Sequence, residues 1–101
     1  MTIRHKFNAK KTTRDGLKFD SNKEAEYYDT LKEKVENGEV LFFLRQVPID
    51  LPGNIRYYCD FLVFNVDHTC DFIDVKGYKT PVYKIKKKQI ESIYPFKIME
   101  V

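Results

Sequence analysis

The sequence predicts a single α/β domain in which a mixed, partly antiparallel sheet is flanked by helices, in the order α-β-β-β-α-β. Three observations predict it. The chain has 101 residues, enough for one domain with one modest core. Two segments of helical period, each with capping signals, bracket three strand-like runs, and a short apolar segment closes the chain. Hydrophobic residues make up 43% of the chain and aromatic residues 15%, which favours a packed globule over disorder.

The elements follow in order. Residues 1–18 read as an extended, basic N-terminal arm. Ser21 is an apt N-cap for a helix running to about Glu36, where Asn37-Gly38 stops it. Val40 to Ile49 reads as a strand that ends at the turn signal "DLPGN". Residues 56–65 and 70–76 are the next two strands, joined through "VDHT". Thr80 and Pro81 suit the N-cap and first position of a second helix through about Ile93. "PFKIMEV" is the last short strand. No stretch approaches the ~20 apolar residues of a membrane span, and "MTIRHKFNAKK" lacks the apolar segment of a secretory signal. Cys59 and Cys70 have neither the density of a disulfide scaffold nor a CxxC spacing. They read as reduced core cysteines of a cytoplasmic protein.

The net charge of +3 is unevenly spread. Arg4, Lys6, Lys10, Lys11, Arg14 and Lys18 crowd the first twenty residues, and Lys76, Lys79, Lys84, Lys86, Lys87 and Lys88 lie in 76–88 with no acidic residue among them. Two basic blocks beside apolar strands suggest a footprint for a polyanion. A solvated helix face explains "KIKKK" equally well.

The carboxylates inside the apolar runs are harder to explain. Asp60 opens the run Phe61–Phe64, and Asp74 sits after Phe72 and Ile73. An ionised carboxylate in such a setting is costly unless it is paired or holds a metal. A hairpin turning about Asp67 puts Asp60 directly opposite Asp74, with Cβ atoms roughly 4.5–5.5 Å apart. Like charges so placed repel, and a divalent cation such as Mg²⁺ relieves the repulsion. Strand alternation puts Lys76 on the face of Asp74, so a plain Asp74–Lys76 ion pair is the other reading. A slip of one residue would separate the two carboxylates.

Glu24 has two readings as well. "SNKE" fits a capping box, in which the glutamate only satisfies a backbone N–H. At ~100° per residue, however, Glu24 falls in the apolar arc of Ala25, Tyr28, Leu31 and Val35, and so faces the sheet. In the second helix Val82, Ile85, Ile90 and Ile93 mark the buried side, and Lys86 and Gln89 lie within that arc. Both are candidates to reach the site or a phosphate, although a snorkelling stem also accounts for Lys86. Gln46, in "LRQVPI", is a weaker candidate of the same kind.

Asp60, then Asp74-Val75-Lys76, with Glu24 upstream on a helix, resembles the PD-(D/E)XK nuclease superfamily, whose signature is an acidic residue, a spacer and (D/E)-x-K. Cys59 stands where the usual proline precedes the first aspartate. "KFNAKKTTRDGLKFDSNKEAEYY" and "DVKGYKTPVYKIKKK" further resemble small phage proteins assigned to that superfamily, and this likeness covers nearly the whole chain. It implies a restriction-endonuclease-like core and Mg²⁺-dependent phosphodiester hydrolysis, with Mn²⁺ able to substitute. Carried over by position, Asp60, Asp74 and the Val75 carbonyl bind the metal, Glu24 supports it or its waters, and Lys76 serves the attacking water and the phosphate.

The resemblance implies DNA as partner. So short a chain has little room for a separate sequence-reading domain, which favours recognition of DNA shape and backbone. A structure-selective endonuclease of the Holliday-junction-resolvase kind is the leading expectation, working in the host cytoplasm if phage-encoded. Lys10, Lys11, Arg14, Lys79, Lys86, Lys87, Gln89 and Gln46 are the candidate DNA contacts. Two matched nicks call for a homodimer, with the arm and Phe42, Phe43, Tyr57 and Tyr58 as interface material. A nicking, restriction-type or exonucleolytic DNase is the alternative enzyme, and a catalytically idle nucleic-acid-binding module is the rival from another class.

Overall fold

A computed structural model describes residues 12–101. The elements are β1 (Thr12–Arg14), β2 (Leu17–Phe19), α1 (Asn22–Glu36), β3 (Val40–Leu51), β4 (Ile55–Asn65), β5 (Cys70–Asp74), α2 (Pro81–Ile93) and β6 (Ile98–Glu100). The protein is an α/β fold whose four-stranded mixed sheet, ordered β3-β4-β5-β6, is flanked by helices. β3, β4 and β5 are antiparallel neighbours, and β6 joins β5 in parallel. Among the described residues no helix is long and apolar enough to cross a membrane.

The expected arm is in part a hairpin. β1 and β2 pair through a two-residue Asp15-Gly16 turn with φ of 53° and 78°, the left-handed pair that an Asp-Gly turn favours. Asp15 accepts from the Tyr28 hydroxyl at 2.8 Å and from Lys32 at 2.7 Å, and Arg14 meets Asp29 at 2.9 Å. The hairpin is thereby clamped to α1, and Phe19 drops into the core against Tyr28. Lys10 and Lys11 lie outside the described residues.

Both helices start where their caps predict. Ser21 Oγ accepts from the Glu24 N–H, and Thr80 Oγ1 accepts from the Tyr83 N–H. α1 buries Glu24, Ala25, Tyr28 and Leu31, the last three in a cluster with Phe61, Val63 and Ile73. Val35 lies on that arc one turn further on and is exposed. α2 buries a different face from the one expected. Tyr83 and Ile90 are inside, whereas Val82, Ile85 and Ile93 are exposed. Two overlapping arcs exist on this helix, and tertiary partners choose between them. Ile90 packs with Ile49, Leu51, Cys59 and Ile98, and the Tyr83 hydroxyl donates to Glu100 at 2.8 Å.

The β4–β5 register is that of a turn about Asp67: Phe61 faces Ile73 and Phe64 faces Cys70. The next step outward brings Asp60 to Asp74. The strand ends at Asp74 rather than Lys76, because the main chain there turns to the C-terminal segment: the Val101 N–H donates to the Asp74 carbonyl and the Lys76 N–H to the Val101 carbonyl. Cys59 is a buried free thiol, as expected, while Cys70 is a free thiol on the surface and no part of the core. Phe42 stacks on Phe64, yet both it and Leu44 remain about half exposed. Tyr58 is exposed too, whereas Phe43 and Tyr57 pack against the two clusters.

Candidate active site

α1, β3, β4 and the end of β5 bring Glu24, Gln46, Asp60 and Asp74 to one place. Glu24 is 6% exposed and Asp74 fully buried, and both sit on elements fixed by the apolar clusters around them. The Glu24 carboxylate turns to the sheet, where Gln46 Nε2 donates to it at 3.2 Å. The same amide donates to Asp60 Oδ1 at 3.2 Å. Asp60 Oδ2 accepts from the Val75 N–H at 2.9 Å, and Asp74 Oδ1 accepts from the Asp60 N–H at 3.0 Å. The other Asp74 oxygen takes the Tyr57 hydroxyl.

Gln46 reaches both carboxylates through an unusual backbone. Its φ is 50° in the middle of β3, between the ladder pairs Arg45–Phe61 and Val47–Cys59. A side chain other than glycine in the left-handed region costs about 1 kcal/mol or more and persists only where its surroundings impose it. Gln46 is therefore a member of the carboxylate cluster, although the sequence made it only a weaker candidate to reach the site or a phosphate.

The charges in this cluster repel. Burial, then the charges of Asp60 and Asp20, push the Glu24 carboxyl up to about 7. Burial also raises Asp60, with Asp74 adding to the rise and the Val75 N–H and Lys76 opposing it. Hard oxygen donors held in mutual repulsion are the chemistry a small divalent cation neutralises. Among the described residues, no group of three or more His, Cys, Asp or Glu is gathered to hold a metal ion. The Gln46 amide bridges Glu24 and Asp60, and Asp74 is engaged by Tyr57 and the Asp60 backbone.

Lys76 makes no ion pair with Asp74 among the described residues. Its ammonium lies 4.3 Å from the Tyr83 ring centroid and 5.9 Å from that of Tyr57. The sequence carried no signal for this pair of tyrosines, which come from β4 and α2 and meet only in the fold. Lys79 and Lys87 both sit on Glu100, at 2.9 and 3.3 Å, and that carboxyl is lowered to about 2, first by Lys79 and then by Tyr83. Lys86 is half-buried and Gln89 exposed on α2, and neither bonds the carboxylates.

Fold and site together define an α/β protein carrying a buried carboxylate cluster with an adjacent lysine on a mixed sheet. The chain belongs to the family described as "Protein of unknown function (DUF1064)", which it matches over residues 4–99. No curated protein and no solved structure matches it.

Proposed function

We propose that this protein is a Mg²⁺-dependent, structure-selective DNA endonuclease on a restriction-endonuclease-like core, acting as a homodimer on four-way junctions. The observation that carries the reading is the convergence of Glu24, Asp60 and Asp74 through shared hydrogen bonds, with Lys76 over the tyrosine that bonds Asp74. A purely structural site gains nothing from burying Glu24 and Asp74 beside a third, partly buried carboxylate, Asp60.

Asp60, Asp74 and the Val75 carbonyl are the residues that would hold Mg²⁺, with Glu24 supporting it or its waters. Bound there, the ion polarises a phosphoryl oxygen and lowers the pKa of a water. Lys76 supplies positive charge where the phosphate gains negative charge, and it orients or deprotonates the attacking water. Gln46 keeps the Glu24 and Asp60 carboxylates in register while they repel.

The test presents linear, single-stranded, flapped and four-way DNA to the protein with Mg²⁺, Mn²⁺ or EDTA. Paired, symmetric nicks in the four-way junction are expected with either metal and none in EDTA, from a species with twice the chain mass by light scattering. A monomer that cuts linear duplex equally well would make it a general nicking, restriction-type or exonucleolytic DNase. Binding without cleavage under every metal condition would leave only a binding module.

The lysines of α2 differ in their surroundings. Lys84 and Lys88 are exposed and line one shallow concavity with Ile85, Lys87 and Glu91, and of these lysines Lys87 also serves Glu100. Replacing Lys84 and Lys88 together with Ala should weaken DNA binding and flatten its logarithmic salt dependence by about 2, nearly one unit per lost phosphate contact. An unchanged salt slope would remove this helix face from the DNA interface.

A further inference from the structure

The surroundings of Lys76 hold it more firmly than a surface cation needs. Its N–H donates to the Val101 carbonyl at 3.1 Å, and its own carbonyl accepts from Lys23 Nζ of α1 at 2.7 Å. The side chain then crosses two aromatic rings whose centroids are 6.1 Å apart. Each ring is pinned at its hydroxyl end, Tyr57 by Asp74 and Tyr83 by Glu100. Glu100 is in turn held by Lys79 and Lys87, and it pairs with Asp74 across the β5–β6 register. Neither ring can turn away without breaking a charge-assisted hydrogen bond.

We propose that Tyr57 and Tyr83 are positioning residues that seat the Lys76 ammonium beside Asp60 and Asp74. The inference rests on the nuclease reading of the site. An ammonium within about 6 Å of an aromatic face is attracted by the electron-rich face of the ring, and the distance to Tyr83 is well inside that limit. The attraction holds the charge without a direct salt bridge, so the ammonium stays available to a phosphate or a water. A direct ion pair with Asp74 would consume both charges. Burial and then their carboxylate partners raise the pKa of both tyrosines, so both remain neutral phenols that keep donating. Glu100 and its two lysines act one step further out by fixing the Tyr83 ring.

Two readouts test the seat. In the NMR spectrum of lysine-labelled protein without DNA or metal, the Lys76 ε-methylene, identified by its loss in Lys76→Arg, should be shifted upfield by the rings. Tyr83→Phe keeps the ring but releases it from Glu100, and should keep the larger part of the shift; Tyr83→Leu should remove most of it. In cleavage, Tyr83→Leu should lower kcat about tenfold with KM for DNA within about twofold, and Tyr83→Phe, which loses only the Glu100 anchor, should fall between Tyr83→Leu and wild type, as expected when an interaction is made in the transition state and not on binding. A wild-type Lys76 resonance at the position of a free lysine overturns the seat without any variant. A ring-shifted lysine in a protein that cuts no DNA keeps the seat and removes the nuclease. A ring shift lost in Tyr83→Leu with turnover unchanged overturns the positioning role.

Discussion

Asp74→Asn should reduce Mg²⁺-dependent cleavage by at least about a hundredfold, the scale seen when one charged or donating group is removed from a reacting centre, while DNA binding persists. Asparagine has the same size as aspartate. Its oxygen can still accept the Asp60 N–H now held at 3.0 Å, and its amide can donate to the Tyr57 hydroxyl that donates to Asp74 in the wild type. What it lacks is the charge. Asp74→Ala is a poorer experiment, because it leaves a phenol and a backbone N–H at a fully buried position without an acceptor, at about 1–3 kcal/mol each. Single-turnover cleavage of a labelled junction by Asp74→Asn, beside a filter-binding measurement, separates chemistry from affinity. Cleavage at the wild-type rate would refute the assignment of Asp74.

The second large effect is on stability. The Glu24 carboxyl stands at about 7 in the folded protein against 4.5 for the free side chain, chiefly through burial. A carboxyl raised by folding holds its proton in the folded state over a range in which the unfolded chain has released it. The contribution of this group to stability is therefore greatest below about 4.5, falls as pH rises through that window, and levels off above about 7. At about 1.4 kcal/mol per unit, a rise from 4.5 to about 7 is on the order of 3 kcal/mol. Asp60, also raised by burial, adds a contribution of the same sign. Urea denaturation of the protein in EDTA should show this decline between pH 5 and 8. Glu24→Gln should be the more stable protein at pH 8 and have a distinctly flatter profile. A wild-type profile that does not fall across this range would show that Glu24 ionises as freely as in water.

Much of this was legible in the residues themselves, because the signals are local. Ser21 and Thr80 are caps by chemistry, Asn37-Gly38 stops a helix by its backbone preferences, and a hairpin about Asp67 sets a register that needs no knowledge of the remaining chain. That register alone put Asp60 opposite Asp74. Helical angle alone turned Glu24 towards the sheet, where it is 6% exposed. The Asp15-Gly16 turn was equally local, yet the surrounding basic residues made the segment read as an arm.

Other features have no local cause, and only the tertiary structure decided them. α2 offers two overlapping apolar arcs, and the choice of Tyr83 and Ile90 over Val82, Ile85 and Ile93 follows from partners on other elements, Cys59 of β4 and Ile98 and Glu100 of β6. Lys79 and Lys87 look like free cations until β6 brings Glu100 between them. Gln46 enters the cluster through a left-handed backbone that its own side chain disfavours, so only its neighbours can have imposed it. Periodicity and capping energies act between residues a few positions apart, and they determined the elements, the hairpin register and the three carboxylates. The partner of each buried charge is a contact between distant segments. Such contacts form only when the chain closes, because desolvating a charge leaves it whatever opposite charge or dipole the packing has brought within reach.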